Sequence, residues 1–246
     1  MKKLATTSLS KQCSRLALAA SLLMAAQTQA VTLSGNFGLV NDYLFRGISQ
    51  TNEGMALQGG LTLTSDAGFY LSSWGSNISF GNGSMELDLL AGWAGKINEE
   101  WTADVGIMQY RYPNGDNSTD QFNFVEAYSK LTYQGLTLGL AYSSDYFGTD
   151  VDQYFYYSAD YTYAINDVLS LLVHAGMNQF ENNEEYTTFL AAGPVKGSSY
   201  LDWSIGVGAN VLGSSLQFKY ADTDIGSSAE CDLCDGRLVV SLTKTF

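Results

Sequence analysis

Met85-Glu86-Leu87-Asp88-Leu89-Leu90-Ala91-Gly92-Trp93 places Met85, Leu87, Leu89, Ala91 and Trp93 at alternate positions, against Glu86, Asp88 and Gly92 between them. An extended chain turns successive side chains to opposite faces, so this segment reads as a strand with one greasy side and one wet side. The same pattern returns in Leu201, Trp203, Ile205, Val207 and Ala209 against Asp202, Ser204, Gly206 and Gly208. It returns again in Leu57 to Leu63, Trp101 to Ile107, Leu136 to Tyr142 and Leu169 to Met177. No segment shows a convincing 3.6-residue period. A dyad repeat of this kind is expected where one face meets an apolar medium and the other meets water or polar side chains.

Outward from these segments, the pattern predicts about twelve strands, over 31–44, 55–65, 68–77, 84–96, 100–112, 121–133, 135–145, 152–164, 168–178, 199–211, 213–223 and 236–246. Short turns such as Ser65 to Gly68, Tyr133 to Gly135 and Val211 to Ser214 alternate with long connections such as 45–54, 112–121, 178–199 and 223–236. Such sorting of loops by length is what an up-and-down transmembrane barrel requires, with short turns at one end and long loops at the other. The fold class expected is therefore all-β: a single antiparallel β-barrel over residues 31–246. Trp93, Trp101, Tyr110, Tyr112, Tyr133, Tyr142, Tyr161 and Tyr163 fall near strand ends, as interfacial aromatic girdles would. Leu238, Val240, Leu242 and the final Phe246 alternate in the last strand, and Lys244 on the same outward parity requires its stem to reach an interface.

Composition agrees. Of 246 residues 46% are hydrophobic, 13% aromatic and only 15% charged, and the net charge is −13. About a quarter charged is usual for a soluble domain. With no basic surface to release counterions, a nucleic-acid partner is excluded. Four of the basic residues, Lys2, Lys3, Lys11 and Arg15, precede an apolar run from Leu16 to Ala26 and the small residues Thr28 and Ala30. Residues 1–30 thus read as a secretory leader, with a run too short to span a bilayer as a helix.

The wet parity collects the candidate lumen-facing residues Glu86, Asp88, Asp104, Glu126, Lys130, Asp160, His174 and Asp202, with Lys219 and Arg237 beside them. These charges either line an aqueous path, with cations preferred over anions, or pair with one another as a polar plug. His174 is the only histidine; Ser170 shares its parity but lies about 13 Å away along an extended strand, so no catalytic residue, cofactor or metal is expected. Cys231 and Cys234 sit within one long connection, where a loop-closing disulfide is the first reading and a thiol metal site the lesser one. The long loops are acidic (Glu53, Asp116, Asp120, Asp145, Asp150, Glu184, Glu230 and Asp232 among others) against only Arg46 and Lys196. Such a rim either solvates the surface or meets lipopolysaccharide through divalent cations.

The string Asn41-Asp42-Tyr43-Leu44-Phe45-Arg46-Gly47-Ile48-Ser49-Gln50-Thr51, with Gly68-Phe69-Tyr70, Trp74-Gly75-Ser76-Asn77 and Ser143 to Gly148, resembles the TorF family of proteobacterial outer-membrane proteins. The resemblance covers essentially the whole chain after the leader and marks Asp42, Tyr43, Phe45, Arg46 and Gly47 as family-motif positions. It implies an outer-membrane barrel of a Gram-negative bacterium and a channel role for small hydrophilic solutes, with no catalytic residues. Two other readings stay open: a structural or interaction barrel with a plugged lumen, and an outer-membrane lipid hydrolase. Arg46 itself either aims a cation inward or clamps its loop.

Overall fold

The computed structural model describes residues 30–113, 122–149, 151–190, 196–226 and 231–246. The leader expected over 1–30 falls, but for Ala30, outside the described residues, as do Asp116, Asp120, Asp150 and Glu230.

Fourteen strands follow one another along the described chain: β1 (Val31–Val40), β2 (Leu44–Phe45), β3 (Ile48–Ser49), β4 (Ala56–Ser65), β5 (Phe69–Asn77), β6 (Met85–Lys96), β7 (Trp101–Arg111), β8 (Phe124–Tyr133), β9 (Leu136–Ser143), β10 (Tyr154–Ala164), β11 (Leu169–Gln179), β12 (Ser199–Val211), β13 (Ser214–Thr223) and β14 (Arg237–Thr245). All but β2 and β3 join in one closed antiparallel barrel, each strand beside its sequence neighbours, with β1 lying between β14 and β4. Closure removes every free strand edge, which is what a sheet in contact with hydrocarbon needs. At the seam Asn36 faces Thr245, and Gly35 and Phe246 exchange two 2.9 Å backbone hydrogen bonds. The two-residue turn Gln134-Gly135 has φ of 44° and 86°, the left-handed pair whose twist matches antiparallel strands.

The dyad repeat sets which way the wall faces. Leu61, Leu89, Ile107, Leu138, Val173, Ile205 and Phe218 on the outside are each 38% to 57% exposed, whereas Glu86, Asp88, Glu126 and Asp202 on the inside are 5% exposed or less. This protein is inverted relative to a soluble domain: apolar outside, polar inside. Lys244, on the outward parity, folds its stem to the short-turn end, where Nζ donates to the Gly213 carbonyl at 2.9 Å.

Three features depart from the sequence reading. The first strand ends at Val40, and the chain then folds inward as a small hairpin, with Leu44 paired to Ser49 and Phe45 to Ile48. A short helix, α1 (Asn183–Leu190), stands where no helix is expected. Its start is capped by Asn182, whose Oδ1 accepts from the Glu185 N–H at 3.1 Å, and two turns are too few to register as a periodicity. Finally, Tyr110 and Tyr112 are not girdle residues; they point inward and are 5% and 3% exposed. Tyr142, Tyr161 and Tyr163 do stand on the outer wall.

Candidate functional site

The hairpin of β2 and β3 carries Arg46 and Gly47 at its tip, both at positive φ (51° and 83°). Glycine holds such a conformation freely, whereas an arginine there costs about 1 kcal/mol or more. What holds the tip is the side chain. Arg46 Nη2 lies 2.8 Å and 2.9 Å from the two oxygens of Glu126 on β8, and both side chains are at least nine-tenths buried. The guanidinium carbon is 4.3 Å from the ring centre of Tyr156, 5.1 Å from that of Tyr154 and 5.4 Å from that of Tyr146. Burial, the largest single influence, opposes the charge of Arg46, but the Glu126 carboxylate together with Tyr154, Tyr146 and Tyr110 raises the arginine pKa well above its ordinary value. Arg46 is thus both things at once: a cation aimed inward and the clamp of its own loop.

The base of the hairpin is held separately. Asp42 accepts from Ser49 Oγ at 2.6 Å, from Thr51 Oγ1 at 3.0 Å and from Arg237 Nη1 at 2.9 Å, and Arg237 also reaches Glu53 at 3.2 Å. Tyr200 donates its hydroxyl to the Arg46 carbonyl at 3.2 Å. Tyr43, raised well above its ordinary pKa by burial and then by Glu86 and Asp88, stays a hydroxyl donor and faces Glu86 Oε1 at 3.4 Å.

Among the described residues, three cavities lie around this tip. Two, of about 710 Å³ and 570 Å³, share Arg46, Tyr110, Tyr156, Asp160 and His174 in their walls. The third, of about 460 Å³, lies among Ile48, Phe80, Phe122, Phe147, Phe189 and the Cys231 loop. Phe45 borders all three, so the hairpin tip stands among them. On the long-loop side the tip is backed by aromatic rings: Tyr146 stacks on Tyr154 at 3.7 Å, Tyr110 on Phe124 at 4.2 Å and Phe180 on Tyr186 at 5.1 Å. The inward aromatic set was legible only by parity, since Tyr110 shares its face with Asp104, and Tyr154 and Tyr156 share theirs with Asp160.

All eight charged candidates turn inward, but they do different things. Asp88, Asp160, His174 and Asp202 border the larger cavity, and Asp104, Glu126 and Lys130 the second. Glu86 borders neither and is fully buried. Single oxygens of Glu86 and Asp88 are buried without a hydrogen-bond partner. Asp160 lies directly across from His174, and Asp202 is paired with Gly176 two residues along. His174 therefore bridges them, Nδ1 to Asp160 at 2.7 Å and Nε2 to Asp202 at 2.8 Å, with the Tyr156 hydroxyl 3.1 Å from Nε2. Both ring nitrogens face carboxylates, which leaves neither to take a proton from Ser170. Cys231 and Cys234 are joined as a disulfide, so their sulfurs are not available to a metal. Among the described residues no group of three or more His, Cys, Asp or Glu side chains is placed to hold one.

A family profile matches residues 24–246. The chain belongs to Gcw_chp, a family of bacterial proteins of unknown function. No curated protein matches this Gcw_chp chain. Among solved structures it is similar to the NanC porin, at 13% identity and a TM-score of 0.51, over 87% of this chain and 99% of that one. It is similar also to the KdgM porin, at 10% identity and a TM-score of 0.53, again over 87% and 99%. KdgM in complex with disordered oligogalacturonate matches at 10% identity and a TM-score of 0.50, over 88% and 99%. At these identities the likeness is one of fold, a closed twelve-stranded barrel.

Proposed function

We propose that this protein is a channel of the Gram-negative outer membrane, delivered by its leader over residues 1–30, that passes small hydrophilic solutes by diffusion and prefers cations. The observation that carries this is the pair of cavities inside the wall, about 710 Å³ and 570 Å³, bordered by Asp88, Asp104, Asp160 and Asp202. An apolar outer wall and a polar, cavity-bearing interior are what diffusion across a bilayer through a barrel requires. The fold shared with porins and the TorF-like string from Asp42 to Ser49 support the same reading. Where KdgM is seen with an oligogalacturonate, an acid, the acids bordering these cavities favour the opposite charge. Outer-membrane lipids surround the wall in this reading, and the acidic loops meet lipopolysaccharide through divalent cations.

The plugged-barrel reading has one observation on its side: Arg46 and the ring cluster occupy the lumen. Conductance separates the two. Refolded protein in planar bilayers is expected to give discrete current steps, with a reversal potential on the cation side in a salt gradient. Asp160→Lys, at a carboxylate exposed to the cavity, is expected to move that potential toward anions. Silence from the wild-type protein and from a variant lacking the Arg46 side chain overturns the channel reading, and an unmoved potential overturns the assignment of Asp160 to the path.

A further inference from the structure

The surroundings of Arg46 form a cage that other molecules would recognise. A carboxylate takes two oxygens to one guanidinium nitrogen, and three tyrosine rings from β10 and the loop before it stand within 5.4 Å of the guanidinium carbon. Carboxylate plus aromatic faces is the chemistry by which proteins hold flat or substituted organic cations. None of these groups belongs to the hairpin: Glu126 is on β8, Tyr154 and Tyr156 on β10, and Tyr146 follows β9. The carboxylate and the tyrosines are therefore supplied by the wall and the loops, with Phe45 of the hairpin adding one further ring at 4.7 Å, and Arg46 is their visitor.

Three details say that the visitor fits under constraint. Its backbone sits at φ 51°, in a region that L residues seldom adopt. Its Nη1 is buried with no hydrogen-bond partner, so only part of the fork is used. And cavities of about 710 Å³ and 570 Å³ both reach it, so a solute in either meets the cage at Arg46.

We propose that the cage of Glu126, Tyr146, Tyr154 and Tyr156 is a binding site for guanidinium-bearing organic cations, and that Arg46 is a tethered ligand occupying it. This rests on the channel reading and gives it a solute class. A soluble guanidinium and the Arg46 side chain compete for one place, so a solute that takes the cage frees the hairpin tip.

The probe is methylguanidinium chloride, with methylammonium chloride at equal concentration as control. In Arg46→Ala the cage is vacant. Millimolar methylguanidinium is expected to raise the thermal midpoint of that variant in detergent, and to reduce its bilayer current several-fold more than methylammonium does. Wild-type protein, whose own Arg46 competes for the cage, is expected to show both responses only at higher methylguanidinium concentration, and adding Glu126→Gln to the variant is expected to abolish both. Arg46→Gln carries the same arms if Arg46→Ala does not refold. Equal effects of the two cations, or no effect of either on the thermal midpoint, overturn the proposal. A midpoint shift specific to methylguanidinium without any current in any variant sustains the cage while removing the channel reading; current without the shift does the reverse.

Discussion

Replacing Glu126 with Gln tests what keeps the hairpin folded into the lumen. Arg46 and Glu126 are 7% and 3% exposed, so the substitution strands a buried guanidinium without its counter-charge. Breaking one side of a buried pair costs about 3–5 kcal/mol. At least the lower end applies here. A glutamine carbonyl still accepts from Arg46 and from Tyr110, whose hydroxyl now lies 3.1 Å from Glu126 Oε2. Its NH2, however, takes the place of Oε1, 2.8 Å from Arg46 Nη2, and sets two donors face to face. The ring contacts to Arg46 remain as well. A loss of about 3 kcal/mol shifts the ratio of docked to undocked tip by roughly 100-fold, at 1.4 kcal/mol per tenfold. The base of the hairpin stays anchored through Asp42 and Arg237, so the tip swings while the barrel holds. Limited trypsin digestion in detergent reads this directly: cleavage after Arg46, identified by fragment mass, is expected to accelerate by about two orders of magnitude in Glu126→Gln. Conductance through the lumen is expected to rise with it. Unchanged cleavage at Arg46 together with unchanged current would refute the view that this pair holds the tip.

Other outcomes follow from the wall and the loops. Ile205→Lys, on the outer face at 49% exposed, is expected to cost about 2–4 kcal/mol in urea titrations of the protein folded in lipid vesicles. Ser204→Lys, one residue away and bordering the larger cavity, is expected to cost much less; equal losses would contradict the assigned facing. Cys231 and Cys234 are expected to resist alkylation until reduced, and the double change to serine is expected to cost about 2 kcal/mol, since the loop it closes is only a few residues long. Full alkylation without reductant would count against the bond.

The wall was readable in the sequence because its signal is local. Alternation at period two, as in Glu86 and Asp88 against Leu87 and Leu89, depends only on the pleat of one strand, and the lengths of the turns depend only on neighbours. Strand number, closure by hairpins and the inward facing of Asp104, Lys130, Asp160 and His174 all follow from that. Even the error over Tyr110 and Tyr112 was local: position near a strand end was weighed above the parity those residues share with Asp104.

What fills the lumen was not readable, because its contacts join residues that no periodicity relates. Arg46 meets Glu126 across 80 residues of chain, and Asp42 meets Arg237 across 195. In the sequence, 41–54 looks like the end of a strand and a loop, and nothing in it says whether that loop points to solvent or into the barrel. Closure of the cylinder decides it: only when β8 and β10 are brought opposite the end of β1 do a carboxylate and a set of rings stand where one arginine can reach them. The strand pattern determined the container, and only the closed container could select its contents.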